Sequence, residues 1–245
     1  MANVTLYPTV TEILKASTIT GDLLVLPPGQ LDRKVYEKVA KAINAAGGKW
    51  KTNRKGFVFA AGDPAAKLGI ALESGVVIDK KRELQAFFTP DPIAAEVVEV
   101  ADVFGQHVLE PSAGDGAIVR ACITAGAHSV TCIEIEPECE GPLKDALRHS
   151  PGNVTISDFL DVDPDTMPKF TRIVMNPPFK RKTYVKHIAH AKKFLAPGGH
   201  LFSIVPANDC DKLKELGAYT IMDFMAGAFK ESGTYVATSL IQIDG

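Results

Sequence analysis

The sequence predicts an α/β protein in which a small α/β module, residues 1–82, precedes a larger and mostly parallel sheet within residues 83–245. Two observations predict this architecture. From Phe87 onward, short apolar runs rich in β-branched residues alternate with helix-compatible segments, which is typical of βαβ units. Near the end of the chain, two β runs flank the sequence FKESG with no helix between them, which predicts a terminal antiparallel hairpin.

The sequence of the first module predicts a helix, a two-stranded hairpin and a second helix. Residues 30–46 carry one apolar helical face, formed by residues at spacings of four: Leu31, Val35, Val39 and Ile43. The sequence KWKTNRKGFVFA follows as two short strands with a turn at residues 52–54. Asp63-Pro64 opens the second helix, and residues 80–85 are expected to join the two modules.

Five apolar runs in the larger module predict the strands of its sheet. They are HVLEP, SVTCIEI, NVTIS, RIVMN and HLFSIVP, which begin at His107, Ser129, Asn153, Arg172 and His200.

Composition excludes several classes of protein. The chain of 245 residues is 46% hydrophobic, which excludes disorder, and no apolar stretch approaches the roughly 20 residues of a membrane-spanning helix. The first 15 residues lack the basic and apolar regions of a secretory signal. The 4 cysteines show neither disulfide nor zinc-site spacing, so we expect a cytoplasmic protein without a metal site.

The net charge of −2 conceals an asymmetry between the two modules. Residues 1–82 contain 13 Lys and Arg against 7 Asp and Glu, whereas residues 83–245 contain 14 against 22. A basic first module is typical of a part that binds polyanions, although the same cations could merely solubilise a small domain.

Candidate ligand-binding residues follow the first three strands of the larger module. A Gly-rich turn, Glu110-Pro-Ser-Ala-Gly-Asp-Gly116, lies between a strand and a helix, where backbone can approach a ligand closely. About twenty residues on, Glu134 ends the second strand, where an acid can bind ribose hydroxyls; Glu136 is the alternative. Asp158 and Phe159 follow the third strand.

The motif Asn176-Pro-Pro-Phe179 follows the fourth strand and carries the most specific chemistry. Two prolines stiffen the turn and remove two N–H donors, which leaves carbonyl groups to accept hydrogen bonds. The side-chain carbonyl of Asn176 and the backbone carbonyl of Pro177 could accept both hydrogens of a planar amino group. Phe179 offers a flat face on which an extruded base can stack.

In the order FFTP, LEPSAGDG, CIEIE, SDF and NPPF, these motifs resemble the S-adenosylmethionine-dependent amino-methyltransferases. The resemblance covers residues 83–245 and is closest to the DNA adenine-N6 type with the gamma order of motifs. The short chain and its basic first module are similar to solitary phage-type enzymes. The resemblance implies a class I methyltransferase sheet with S-adenosylmethionine as the cofactor. It also implies methyl transfer to adenine N6 in duplex DNA, with the target base flipped out.

The resemblance assigns a role to each motif. The FFTP segment and the Gly-rich turn hold the methionine end of the cofactor, the acid after the second strand binds ribose, and the acid after the third lies by the adenine. The implied cofactor-binding residues are Phe88, Thr89, Glu110, Pro111, Ser112, Ala113, Gly114, Gly116, Glu134, Asp158, Phe159 and Asn176. The implied catalytic residues are Asn176, Pro177, Pro178 and Phe179.

The NPPF motif also leaves other substrates open. Similar motifs serve rRNA adenine-N6 and guanine-N2 methyltransferases, and an NPPY variant serves protein-glutamine methyltransferases. A non-catalytic nucleic-acid-binding protein that keeps a methyltransferase scaffold is a further alternative. Cytosine C5 methylation is disfavoured, because the chain has no Pro-Cys pair to supply the covalent nucleophile.

Two basic segments predict a nucleic-acid partner, DNA first and RNA as the alternative. One begins directly after the NPPF motif, where a phosphate backbone would pass to deliver a flipped base. The other is the hairpin of the first module, in which Phe57 and Phe59 are expected to be core residues. The predicted phosphate-binding residues are Lys51, Arg54, Lys55, Lys180, Arg181 and Lys182.

Overall fold

The structure is a computed structural model that describes residues 3–59, 63–78, 88–230 and 235–245. The chain divides into two compact units, Met1–Gln85 and Ala86–Gly245. The module boundary expected after residue 82, and the join expected at residues 80–85, lie outside the described residues.

The first unit contains a four-stranded antiparallel sheet of order β2-β3-β5-β4 and a separate antiparallel pair of β1 with β6. Its elements are β1 (Asn3–Thr5), α1 (Pro8–Ala16), β2 (Thr18–Thr20), β3 (Leu23–Val25), α2 (Arg33–Ala45), β4 (Gly48–Lys51), β5 (Gly56–Phe59), α3 (Pro64–Ser74) and β6 (Val76–Ile78).

The predicted helix of the first unit forms for the expected reasons. The Asp32 carboxylate caps α2 by accepting from the backbone N–H groups of Lys34 and Val35. Val39 and Ile43 on its apolar face are fully buried, together with Phe57 and Phe59 of β5. The sequence prediction missed α1. It also missed β1, β2, β3 and β6, because strands of three residues are too short to show a periodicity.

The second unit is a seven-stranded sheet of order β12-β13-β11-β10-β7-β8-β9 with helices between the strands. Its elements are α4 (Asp91–Ala101), β7 (His107–Glu110), α5 (Ala117–Thr124), β8 (Ser129–Glu134), α6 (Glu140–Ala146), β9 (Gly152–Ile156), β10 (Phe170–Met175), α7 (Thr183–Ala191), β11 (Leu195–Pro206), β12 (Tyr219–Phe224) and β13 (Thr238–Asp244).

Strand directions confirm the predicted fold class and the terminal hairpin. Strands β7, β8, β9, β10 and β11 are parallel to their neighbours, whereas β13 runs antiparallel to β11 and β12 runs antiparallel to β13. Both faces of the sheet are buried: Val108 of β7 packs into one apolar layer, and the next residue, Leu109, packs into the other. Parallel strands covered on both faces explain the continuous apolar runs in the sequence.

The strand order reverses beside β7, which creates the crevice where this type of sheet binds ligands. The chain goes from β7 outward to β8 and β9, and then returns to place β10 on the other side of β7. The residues that follow β7, β8, β9 and β10 therefore meet at one edge of the sheet. Within the described residues, no helix is both long and apolar enough to cross a membrane.

Candidate active site

The Gly-rich turn connects β7 to α5 and requires its glycines. Gly114 and Gly116 have φ angles of +55° and +85°, a backbone conformation that L side chains rarely adopt. The ring of Phe88 packs directly against the turn, because a Cβ atom at residue 114 would lie 2.8 Å from its Cδ1 atom. The turn therefore needs glycine at residue 114 both for its backbone conformation and for the contact with Phe88.

Glu134 at the end of β8 fixes the shape of this turn. Its Oε2 atom accepts a hydrogen bond from the backbone N–H of Gly114 at 2.6 Å. Its Oε1 atom accepts one from the backbone N–H of Glu136 at 2.8 Å. Burial raises the pKa of the Glu134 carboxyl above its ordinary value, while the hydrogen bonds from the backbone act in the opposite direction. The carboxylate thus joins the ends of two neighbouring strands.

Glu110 at the end of β7 is a buried acid with an unsatisfied oxygen. Its side chain is 2% exposed, and its Oε2 atom has no hydrogen-bond partner in the part of the chain that the structure describes. Burial raises its pKa well above the ordinary value, and the negative charges of Glu134 and Asp115 raise it further. A buried acceptor without a partner is costly, so this oxygen marks a place where a ligand donor would be stabilised.

Asp158 and Phe159 follow β9, as predicted, but their side chains differ in accessibility. The Asp158 carboxylate is half-buried and accepts from the backbone N–H of Leu160 at 2.9 Å. The Phe159 ring is 2% exposed and packs against the rings of His190 and Phe194. The ring therefore belongs to the core, and the assignment of Phe159 to the cofactor site stays a prediction.

The Asn176-Pro-Pro-Phe179 turn follows β10 and is held by a residue distant in sequence. The side-chain Nδ2 of Asn176 donates to Thr89 Oγ1 at 3.0 Å, and Thr89 itself is buried. This bond brings the two ends of the predicted motif set together. Pro177 is buried, and Pro178 and Phe179 are half-buried.

The family follows from a comparison with known proteins. The sequence model of the methyltransferase small domain matches residues 93–231, more than half of the chain. The chain belongs to the methyltransferase small domain family. No curated protein matches this methyltransferase by sequence.

Several solved structures are similar to this methyltransferase, and TrmN shares its fold. TrmN from Thermus thermophilus is 22% identical with a TM-score of 0.51, and the match covers 63% of this chain and 48% of that one. A candidate RNA methyltransferase from Pyrococcus horikoshii is 18% identical with a TM-score of 0.49, over 63% and 84% of the two chains. A methyltransferase complexed with SAH is 16% identical with a TM-score of 0.48, over 62% and 48%.

The cofactor of this methyltransferase is S-adenosylmethionine, and the residues at the sheet edge fit it. The Gly-rich turn leads into the start of α5, where no side chain caps the helix, and this arrangement suits a closely bound ligand. The unsatisfied Glu110 oxygen suits a cationic donor such as the amino group of the cofactor. No group of His, Cys, Asp and Glu that could hold a metal ion occurs among the described residues.

The basic residues after the NPPF motif form a short, exposed 3₁₀ turn. Arg181 and Lys182 are exposed and have φ angles of +51° and +60°, whereas Lys180 is half-buried. Two consecutive non-glycine residues in the left-handed region are uncommon, and such conformations concentrate at functional sites. Helix α7 begins directly after this turn, at Thr183.

The basic residues of the hairpin in the first unit differ in whether they form an ion pair. Lys51 and Lys55 are exposed, and neither forms an ion pair within the described part of the chain. Arg54 instead donates to Asp22 at 2.8 Å, and this hydrogen bond lowers the pKa of Asp22. Phe57 and Phe59 are buried as predicted, while Trp50 is 46% exposed.

Sequence reasoning missed two features beside the site. His187 of α7 is buried with its Nδ1 atom 3.4 Å from Ser112 Oγ, and burial lowers the pKa of its imidazole. Tyr184 of the same helix contacts Phe179 with its ring and Asp209 with its hydroxyl. The sequence contains no signal for either contact, because the partners lie on different connections of the sheet.

Proposed function

We propose that this methyltransferase transfers the methyl group of S-adenosylmethionine to an exocyclic amino group of a nucleic-acid base. The observation that carries the proposal is the Asn176-Pro-Pro-Phe179 turn, held by Thr89 at the carboxyl edge of the sheet. The cofactor supplies an electrophilic methyl group on its sulfonium sulfur. The residues of the turn are proposed to bind and orient the amine that receives it.

The amide of Asn176 is the central element of this mechanism. Because its nitrogen donates to Thr89, its oxygen points away from Thr89 and serves as an acceptor toward the target amine. The backbone carbonyl of Pro177 accepts the second amine hydrogen. Two accepted hydrogen bonds localise the lone pair of the nitrogen, and the rate gain comes chiefly from orientation. The proton leaves to water after transfer, so no residue of the chain acts as a permanent base.

Phe179 is proposed to stack the target base, and the cofactor is proposed to lie across β7, β8 and β9. Base–aromatic stacking tolerates different bases, since every base has a π-face. The Glu134 carboxylate already accepts two backbone hydrogen bonds and retains lone pairs for ribose hydroxyls. Asp158 is proposed to lie by the cofactor's adenine, and Glu110 by its amino group.

Two nucleic acids remain within the proposal. Adenine N6 in DNA is supported by the order of the sequence motifs, and a base in RNA would use the same amine-binding turn. The Pyrococcus horikoshii protein is described as a candidate RNA methyltransferase, so the assay tests RNA and DNA on equal terms. In either case, Arg181, Lys182, Lys51 and Lys55 are proposed to contact phosphates.

The test is incorporation of labelled methyl from S-adenosylmethionine into separate substrates. RNA, single-stranded DNA, duplex DNA and a glutamine-containing peptide are each incubated with the parent protein and with Asn176→Ala. We expect label in at least one nucleic acid with the parent, and a loss of about 100-fold with the variant. Label in the peptide alone would contradict the proposal. Cofactor binding without label in any nucleic acid would support the non-catalytic alternative.

A further inference from the structure

Tyr184 connects the NPPF turn to a different connection of the sheet. It lies in the first turn of α7 and is 1% exposed. Its ring meets that of Phe179 edge-on, with centroids 6.1 Å apart and an interplanar angle of 82°. Its hydroxyl donates to Asp209 Oδ2 at 2.6 Å. The tyrosine is therefore held at both ends, by an aromatic ring and by a carboxylate.

Asp209 lies in the 3₁₀ segment Ala207–Leu216 that follows β11. Its side chain is 15% exposed, and its second oxygen pairs with Lys212. Hydrogen bonds from Lys212 and Tyr184 lower the pKa of the Asp209 carboxyl, so it is an ionised acceptor at neutral pH. A hydrogen bond from a phenol to an ionised carboxylate is stronger than one between neutral groups.

The backbone on the two sides of Phe179 differs in conformation. Two prolines fix the chain before it, while the residues after it include Arg181 and Lys182 in the left-handed region. The ring is half-buried, so one part of it contacts the core and another part is accessible. Tyr184 packs against this ring.

We propose that Tyr184 and Asp209 are positioning residues that hold the Phe179 ring where the target base stacks. The inference rests on the proposed function, since it assigns a purpose to the ring that they hold. The inference adds the connection after β11 to the substrate side of the site. The other part of that side is the NPPF turn, which follows β10. Neither residue is expected to touch the cofactor.

The kinetic test compares three variants with a matched control. Tyr184→Phe removes the hydroxyl, Asp209→Ala removes the acceptor, and Asp209→Asn keeps an oxygen that can accept. Lys212→Gln removes the ion pair and leaves the hydrogen bond between Tyr184 and Asp209. We expect kcat/KM for nucleic acid to fall about tenfold in the first two variants, through misplacement of a substrate-binding group. Asp209→Asn should recover most of that loss. The kcat/KM of Lys212→Gln should stay within about twofold of the parent value.

Cofactor affinity and ring mobility distinguish positioning from general destabilisation. The dissociation constant of S-adenosylmethionine should be unchanged in all four variants, whereas a loss of folding would weaken it in step with kcat/KM. In protein labelled with 4-fluorophenylalanine, the Phe179 signal is identified by its absence in Phe179→Leu. Asp209→Ala should shift or broaden this signal, and Asp209→Asn should restore it.

The fluorine measurement decides the inference even if the proposed function fails. A parent protein that methylates no nucleic acid would contradict the proposed function, while the Phe179 signal would still report whether Asp209 holds the ring. An unchanged Phe179 signal in Asp209→Ala, or parent-like kcat/KM in an active Tyr184→Phe variant, would overturn the inference.

Discussion

The side-chain nitrogen of Asn176 donates a hydrogen bond to Thr89 Oγ1 at 3.0 Å, across 87 positions of the sequence. Thr89 precedes helix α4, and Asn176 follows the strand beside the crevice. The bond selects one of the two orientations of the asparagine amide. The amide oxygen is therefore turned away from Thr89, as the proposed binding of a target amine requires.

Asn176→Ala should separate turnover from cofactor binding. The variant loses an acceptor that acts on the target amine, so we expect turnover to fall by at least about 100-fold. Cofactor affinity, measured by calorimetry, should stay within about threefold of the parent, because the other cofactor contacts remain. An equal loss of cofactor affinity would mean that the motif has been misplaced.

Thr89 should matter through its hydroxyl. Thr89→Val keeps the shape of the side chain and removes the acceptor for Asn176, which lets the amide turn its nitrogen toward the substrate. We expect turnover to fall about tenfold, the scale of one hydrogen bond. Thr89→Ser keeps the hydroxyl and should behave like the parent. Equal turnover in the valine and serine variants would show that the hydrogen bond does not orient Asn176.

Glu110 should make folding stability depend on pH in a specific direction. Its pKa is raised in the folded protein, so the folded state binds the proton more tightly than the unfolded state does. In the absence of cofactor, the free energy of unfolding should fall as pH rises above about 4.5, by up to about 1.4 kcal/mol per pH unit, until the folded pKa is passed. Glu110→Gln should lack this fall.

The measurement is urea unfolding of the parent and Glu110→Gln from pH 5 to pH 9, roughly the window above the unfolded carboxyl pKa. Far-ultraviolet circular dichroism is the signal, since the one tryptophan, Trp50, lies in the other unit. Parallel stability curves for the two proteins would contradict the assignment. Glu110→Gln should also bind S-adenosylmethionine more weakly, because it loses the carboxylate proposed for the cofactor amine.

Lys51 and Lys55 should contribute more to nucleic-acid binding than Arg54. Replacing both lysines by glutamine should reduce the slope of log affinity against log salt by up to about two. Arg54→Gln should change the slope less, because its guanidinium is engaged by Asp22. Lys15→Gln in the same unit is the control for a charge change alone. A double variant with the parent's slope would show that the hairpin does not contact phosphates.

The sequence predicted those parts of the fold whose signal is local. Helix α2 shows a cap and an apolar stripe within 15 residues or so, and the parallel strands are continuous apolar runs. Strands β1 and β6 could not be predicted, because each has three residues and they pair across the unit, Asn3 with Ile78. Such pairing depends on tertiary context rather than on propensity.

The candidate site shows the same division. Glu110, Gly114, Glu134 and Asn176 were predicted as site residues because each lies at or just after the carboxyl end of a strand, and parallel strands bring these ends to one edge. The burial of the Phe159 ring could not be predicted, because a motif gives a position in the chain and not the direction of a side chain. The contact between Tyr184 and Asp209 joins two connections of the sheet and has no counterpart in sequence spacing.

The most direct measurement of the central claim is the position of the transferred methyl group. Nucleic acid methylated with S-adenosylmethionine that carries a deuterated methyl group is digested to nucleosides and analysed by mass spectrometry. The account predicts the label on an exocyclic nitrogen, N6 of adenine or N2 of guanine, and its loss with Asn176→Ala. Label on a ring carbon, a ring nitrogen or a ribose oxygen would contradict it.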